Sequence, residues 1–193
     1  MNYLAHLFLS CSHEDHLIGN FIADSISRNP EYKVNPDIKE GIDLHKRIDS
    51  FTDNHPIVRK SRERLYYAHS KYSSVIVDVW YDYLLAKNWT LYTDESLDNF
   101  VERMYAILFR RLDDLPKKLQ NSLPYMVQDN FLMKYTNLFG MTEVFRRLRK
   151  RFSRPEYLND VVKTFLVEEE NLNNDFNQFF PELKEFVKQS HVH

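Results

Sequence analysis

The stretch VIVDVWYDYLLAKNW, residues 75–89, decides the fold. Its Val-Ile-Val opening has the β-branched character of a strand. Its length and its Tyr-Asp-Tyr-Leu-Leu-Ala-Lys continuation favour a helix. On a helix Val75, Asp78, Asp82, Leu85 and Trp89 fall along one stripe, at steps of three or four residues. Two carboxylates then stand in line with apolar side chains, in a segment that is apolar almost all round. A carboxylate buried without a partner is strongly unfavourable, and two of them one turn apart also repel each other. The stripe therefore calls for a compensating cation, either an arginine or a metal ion.

Outward from this segment the same helical pattern recurs. Upstream, PIVRKSRERLYYAHSKY opens on Pro56, and GIDLHKRIDSFTDNHP (41–56) belongs to a helix that starts at Pro36-Asp37 and stops near Asn54. NPEYKVNPD, with two Asn-Pro steps, reads as a loop. HEDHLIGNFIADSIS carries Leu17, Phe21 and Ile22 on one side, and Leu4, Leu7 and Phe8 share a face near the start. Downstream, helices are expected in ESLDNFVERMYAILFRRL, SLPYMVQDNFLMKYT, TEVFRRLRKRF and PEYLNDVVKTFLVEEENLNNDFNQFF, with a short separate helix at PELKEFVKQ. The expectation is an all-α protein, with residues 1–193 forming a single compact multi-helix domain.

Composition agrees. Only 3 glycines and 7 prolines occur in 193 residues, few for a fold rich in tight turns, and 15% of the chain is aromatic. Three glycines cannot build phosphate-cradling loops, and G-x-S-x-G, P-loop and G-x-G-x-x-G motifs are all absent. A net charge of −2 argues against wholesale nucleic-acid binding. A lone cysteine, Cys11, excludes an internal disulfide and reads as a packing residue. MNYLAHLFLSCS lacks the basic flank and cleavage site of a signal peptide, and other apolar runs are too short to span a membrane. The expected setting is the cytoplasm, with no membrane partner. His191 and His193, near the end of the sequence, carry little weight.

The helix at 41–54 offers a match for the two carboxylates. His45, Asp49 and Asp53 recur at steps of four, while Arg47 lies off that line. Imidazole nitrogen with carboxylate oxygen suits Mn²⁺, Fe²⁺ or Zn²⁺, and the carboxylate-rich balance favours a harder ion. His6 in the apolar first helix, and Asn20 with Asp24 one turn apart in GNFIADS, are further contributors; Gly19 permits close helix approach. Plainer readings compete with each residue. His6 can be a satisfied core histidine, Asp24 a turn cap, Asp49 and Asp53 partners of Lys46 or Arg47, and Asp78 and Asp82 partners of Arg47 or Arg59.

Two basic clusters complete the inventory. RKSRERL supplies Arg59, Lys60, Arg62 and Arg64, and FRRLRKRFSR supplies Arg146, Arg147, Arg149, Lys150, Arg151 and Arg154. They are either solvated helix faces or local docking patches for an acidic partner. The aromatic interleaving that single-stranded nucleic acid requires is thin here.

MNYLAHLFLS, GNFIAD, GIDLHKRIDSFTDNHP and VDVWYDYLLAKNW, in this order through the first 90 residues, resemble the acyl carrier protein phosphodiesterase family. That family is regarded as a divergent branch of the all-helical, HD-type metal-dependent phosphohydrolases. The resemblance implies removal of 4′-phosphopantetheine from the serine of holo-acyl carrier protein, with a divalent cation, typically Mn²⁺. It highlights His6, Asp24, His45, Asp49, Asp78 and Asp82. The adjacent His-Asp pair of the general HD pattern is absent; His45 and Asp49 stand one turn apart instead. On this reading His6, Asp24, His45, Asp49 and Asp78 hold the metal, and Asp82 or Asp49 handles the proton of the attacking water. Arg47 faces phosphate, and Arg59, Arg62, Arg146, Arg147, Arg149 and Arg151 dock the carrier. The alternatives are an HD-like phosphohydrolase for a nucleotide or other small phosphodiester, and a non-catalytic helical binding module.

Overall fold

Residues 75–87 are helical, as are most of the other described residues. The computed structural model describes residues 1–10, 13–27 and 32–190. Cys11, the Asn29-Pro30 step, His191 and His193 lie outside the described residues. The α-helices are α1 (Tyr3–Ser10), α2 (Glu14–Ile26), α3 (Pro36–Asn54), α4 (Pro56–His69), α5 (Ser73–Lys87), α6 (Leu97–Arg110), α7 (Lys117–Gln128), α8 (Leu138–Arg149) and α9 (Val161–Ser190). Short 3₁₀ turns join several of them, and no strand occurs among the described residues. Among the described residues no helix is long and apolar enough to cross a membrane.

The ambiguous character of α5 has a packing cause. Ile76, Val77, Val79, Trp80, Tyr81, Leu84 and Leu85 are all buried, so α5 is enclosed by its neighbours rather than lying on the surface. Trp80 stacks on Phe165 of α9 at 3.7 Å between centroids, and Tyr81 meets Phe176 edge-on. A helix buried on all sides needs bulk rather than amphipathic contrast, which is why its composition resembles that of a strand.

Local chemistry places the helices that flank α5. Asn35 caps α3 by accepting a hydrogen bond from the Ile38 N–H at 2.8 Å, with Pro36 in the first turn. His55 stops α3 before Pro56 and starts α4, its Nδ1 accepting from the Ile57 N–H at 3.3 Å. Gly19 and Gly41 let α2 and α3 touch backbone to backbone. A Cβ at Gly19 would lie 2.0 Å from the Ile38 carbonyl oxygen, and one at Gly41 would lie 2.2 Å from that of His16. This close approach brings Asn20 and Asp24 of α2 against His45 of α3.

Several boundaries differ from the sequence reading: α8 opens at Leu138 rather than at Thr142, and α9 opens at Val161, after a 3₁₀ turn over Pro155–Leu158 and a left-handed Asp160 (φ 53°), rather than at Pro155. The separate helix at PELKEFVKQ does not exist: α9 runs unbroken through Pro181. Proline forfeits one backbone hydrogen bond. Phe176, Phe179 and Phe180 before it, and Leu183 and Val187 after it, are nevertheless buried along one continuous stripe. Conversely, SLPYMVQDNFLMKYT is not one helix. α7 starts earlier, at Lys117, and ends at Gln128. Asn130 then turns left-handed at φ 47°, before a 3₁₀ turn over Met133–Thr136.

α4, α5 and α9 also enclose a polar network. Asp175 of α9 is 1% exposed. Its Oδ2 accepts from Ser61 Oγ and Arg64 Nε, each at 3.0 Å, and its Oδ1 pairs with Lys60 at 3.1 Å. Ser61 Oγ lies 2.9 Å from the Tyr81 hydroxyl, which ties the network to α5.

Candidate metal centre

His6 sits on the buried face of α1, and its ring stacks on that of His45 from α3, with centroids 4.0 Å apart. Asp49, one turn after His45, lies between them. Its Oδ1 is 3.2 Å from His6 Nε2 and its Oδ2 is 3.2 Å from His45 Nε2. Asp24 Oδ1 of α2 stands 3.4 Å from the same His45 nitrogen. Asp78 of α5 holds the Met1 amino group at 3.1 Å, and that amine is 3.9 Å from Asp49 Oδ1. Side-chain exposure rises from Asp78 (25%) through Asp49 (41%) to Asp24 (80%), so the group opens towards solvent on the α2 side.

The donors are oriented as ligands. His45 Nδ1 lies 2.8 Å from Asn20 Oδ1 and 3.0 Å from the Asn20 carbonyl oxygen, two acceptors that hold the ring proton on Nδ1. The Nε2 of a neutral His45 then presents its lone pair to the cluster. Asn20 in turn donates from Nδ2 to the His6 carbonyl at 3.1 Å, which couples α1 to the same support. Both ring nitrogens of His6 are buried without an aligned hydrogen bond. Ligand atoms of His6, His45 and Asp49 all lie within 4.8 Å of one another. A buried, unsatisfied imidazole facing a second imidazole and a carboxylate fits a divalent metal ion.

The electrostatics of these bare groups are unbalanced. Burial drives His6 down to about 4, against the opposing pull of Asp49. Burial also opposes charging of His45, but Asp24 and Asp49 outweigh it and raise the ring to about 9. Asp49 would be raised by burial, yet the two histidines hold it far below the usual carboxylate range. Asp24 is lowered by His45. Burial raises Asp78, opposed by the Met1 amine and by Arg62. With no metal bound, the protonated His45 and the Met1 amino group are the cations that face these carboxylates.

Asp82 is fully buried, but its partners are neither arginine nor imidazole. Its carboxylate accepts from the backbone N–H groups of Asn2 (3.1 Å), Leu4 (2.7 Å) and Ala5 (3.4 Å). The cation expected for this residue is replaced by the N-terminus of α1, whose unpaired donors and dipole favour a carboxylate. Burial still pushes its carboxyl up to about 7. Asp53, on the same stripe as Asp49, is drawn away by Arg62 at 2.5 Å. Arg47 is exposed, about 200° around α3 from His45 and from Asp49, on the face away from the cluster.

Of the basic residues, Arg146 pairs with Glu143 at 2.7 Å and Arg147 with Asp129 at 2.6 Å. Arg59, Arg149 and Arg151 are exposed. Arg151 lies within electrostatic reach of Tyr3, whose phenol is raised by burial and by Asp24 and lowered by Arg151. The supporting role of Asn20 was hidden in the sequence, where only its spacing from Asp24 was visible. The Met1–Asp78 contact had no local signal at all.

An all-helical protein whose histidines and carboxylates converge from α1, α2 and α3 belongs to the class of α-proteins with a histidine–carboxylate metal-type site. The family model described as acyl carrier protein phosphodiesterase matches residues 1–183. Similar curated proteins include the acyl carrier protein phosphodiesterase of Serratia proteamaculans (strain 568), 32% identical over 196 residues and the whole of both chains. That of Salmonella agona (strain SL483) is 32% identical over 184 residues, 95% of each chain. No solved structure matches. The chain belongs to the acyl carrier protein phosphodiesterase family, a family of phosphoric diester hydrolases.

Proposed function

We propose that this chain, as a single helical domain over residues 1–193, hydrolyses the phosphodiester that joins 4′-phosphopantetheine to the serine of holo-acyl carrier protein. The carrying observation is the convergence of His6, His45 and Asp49 in a chain that the family model matches over residues 1–183. His6, His45 and Asp49 would hold a divalent ion, with Asp24 and Asp78 completing the donor set; the carboxylate share favours Mn²⁺. Such an ion supplies a water that ionises near neutral pH and neutralises charge on the phosphoryl group.

The chain's own residues do the rest. Asn20 fixes the His45 ring, so that Nε2 faces the site. An oxygen of the exposed Asp24 carboxylate that the ion leaves free accepts the proton of the attacking water. Water oxygen bonds to phosphorus, the phosphorus–serine oxygen bond breaks, and the serine oxygen takes a proton. The products are apo-carrier protein and 4′-phosphopantetheine. Asp82 holds the start of α1, and through it His6, in place. Carrier proteins are small and acidic, so the exposed Arg149, Arg151 and Arg59 suit docking. This substrate would place the enzyme in the cytoplasm.

The test is the intact mass of holo-acyl carrier protein incubated with the protein, in Mn²⁺ or in EDTA. Loss of the phosphopantetheine mass in Mn²⁺ alone is expected. An unchanged mass in both, alongside a hydrolase that succeeds on the same carrier, overturns the assignment.

A further inference from the structure

The centre described so far lacks a protein group for the substrate's phosphate. Arg47 points away from it, and most of the basic side chains with partners serve carboxylates elsewhere. Arg62 of α4 differs from them. Its Nη2 donates to Asp53 Oδ1 at 2.5 Å and its Nη1 to the Asp53 carbonyl at 3.3 Å, one turn beyond Asp49 on α3. Its side chain is only 16% exposed, and its Nε is buried without a hydrogen-bond partner. Asp53 lies on the same stripe of α3 as Asp49, so this pair places the guanidinium one helical turn from the donor cluster, and its charge also bears on Asp78.

The neighbouring Arg64 gives the contrast. It is committed to Asp175, a buried carboxylate that solvent cannot replace. The partner of Arg62, Asp53, is 63% exposed. A pair with one exposed partner contributes little and exchanges readily. Arg62 therefore combines a fixed position, spare donors and a replaceable partner. A planar guanidinium can hold two phosphate oxygens at once.

We propose that Arg62 is the phosphate-holding residue of this site, binding non-bridging oxygens of a phosphodiester in place of the exposed Asp53 carboxylate. The proposal rests on the hydrolase reading above but concerns phosphate in general, so the two can fail separately.

The test uses inorganic phosphate as probe. It is titrated calorimetrically into the Mn²⁺-loaded wild-type protein, into Arg62→Ala and into Arg62→Lys, and metal content and melting temperature are recorded for each. Arg62→Ala should weaken phosphate binding about 10–100-fold, the range for a hydrogen bond to a charged group, without loss of metal. Arg62→Lys should recover part of the affinity, because a point charge replaces the fork. Added guanidinium at millimolar concentration should partly restore hydrolysis by Arg62→Ala but not by Asp49→Ala. Phosphate affinity unchanged in Arg62→Ala, or no phosphate binding by the wild type, overturns the proposal; Arg62→Lys decides the question should the alanine variant fail to fold. Phosphate binding through Arg62 in a protein that leaves holo-carrier intact would sink the substrate assignment and keep the role of Arg62. Carrier hydrolysis equal in wild type and Arg62→Ala would do the reverse.

Discussion

Asp49 and Asp175 are both acids held against α-helices, and both gather several charged partners. Asp175 meets Lys60, Arg64 and Ser61, so its charge is more than balanced and both oxygens are engaged. Asp49 meets two imidazoles and, at 3.9 Å, the Met1 amine, with Asp24 and Asp78 close by, so three carboxylates face only two cations even when His45 carries a proton. A network that is satisfied by protein atoms alone holds helices together. A cluster with more ligand atoms than cations is prepared for something else. Burial and spacing do not separate the two cases; the count of unpaired donors does.

The largest effect that would break this comparison is on catalysis. Asp49→Ala should lower kcat for holo-carrier by about 10³-fold or more, the scale of losing a group that stabilises the reacting charge. Metal measured by emission spectroscopy should fall with it, while circular dichroism stays helical. Retained turnover would place Asp49 with Asp175 as a structural acid.

Asp175→Ala should do the opposite. Removing one side of a buried ion pair costs about 3 kcal/mol, read as an earlier urea midpoint. Turnover per folded molecule should be unchanged at low temperature. Asp82→Ala lies between the two. It strands three backbone donors at the start of α1 and should destabilise by about 2 kcal/mol, with activity lost through His6. Asp82→Asn, which keeps one acceptor, should recover part of both.

A pH titration sharpens the comparison further. In EDTA the folded His45 titrates near 9, above its ordinary 6.5, so the stability it contributes is fully present below 6.5 and lost as pH rises through 9. The melting temperature of the metal-free protein should fall by a few degrees over that window, and His45→Gln should flatten the fall. Metal must displace the same proton, so Mn²⁺ affinity should rise over the same range. A flat profile in wild type would mean that His45 is already neutral. The smallest effect expected is in docking: Arg149→Ala with Arg151→Ala should raise KM for the carrier a few-fold at low salt and scarcely at high salt.

Much of this was legible before the fold was known. The helices followed from apolar periodicity and from Asn35-Pro36 and His55-Pro56 punctuation. Pro181 misled, because a local rule about proline was overridden by a stripe of buried phenylalanines. The pairing of His45 with Asp49 was visible as one turn of one helix. Asp82 was singled out for the right anomaly, burial, but its partners are backbone groups of another helix, which carry no residue identity to read. Asp175 drew no notice, because its partners come from a helix more than a hundred residues away.

The sequence by itself determined the all-α class, the faces of the helices and the alignment of His45 with Asp49, since these depend only on the helical repeat of 3.6 residues. Only the tertiary structure decided which acid met which partner. It sent Asp82 to the N-terminus of α1, Asp53 to Arg62 and Asp175 to Lys60 and Arg64, and left Asp49 between two histidines. Those choices depend on how closely helices cross, as at Gly19 and Gly41. That distance is set by packing between segments far apart in the chain, and no periodicity within one segment encodes it.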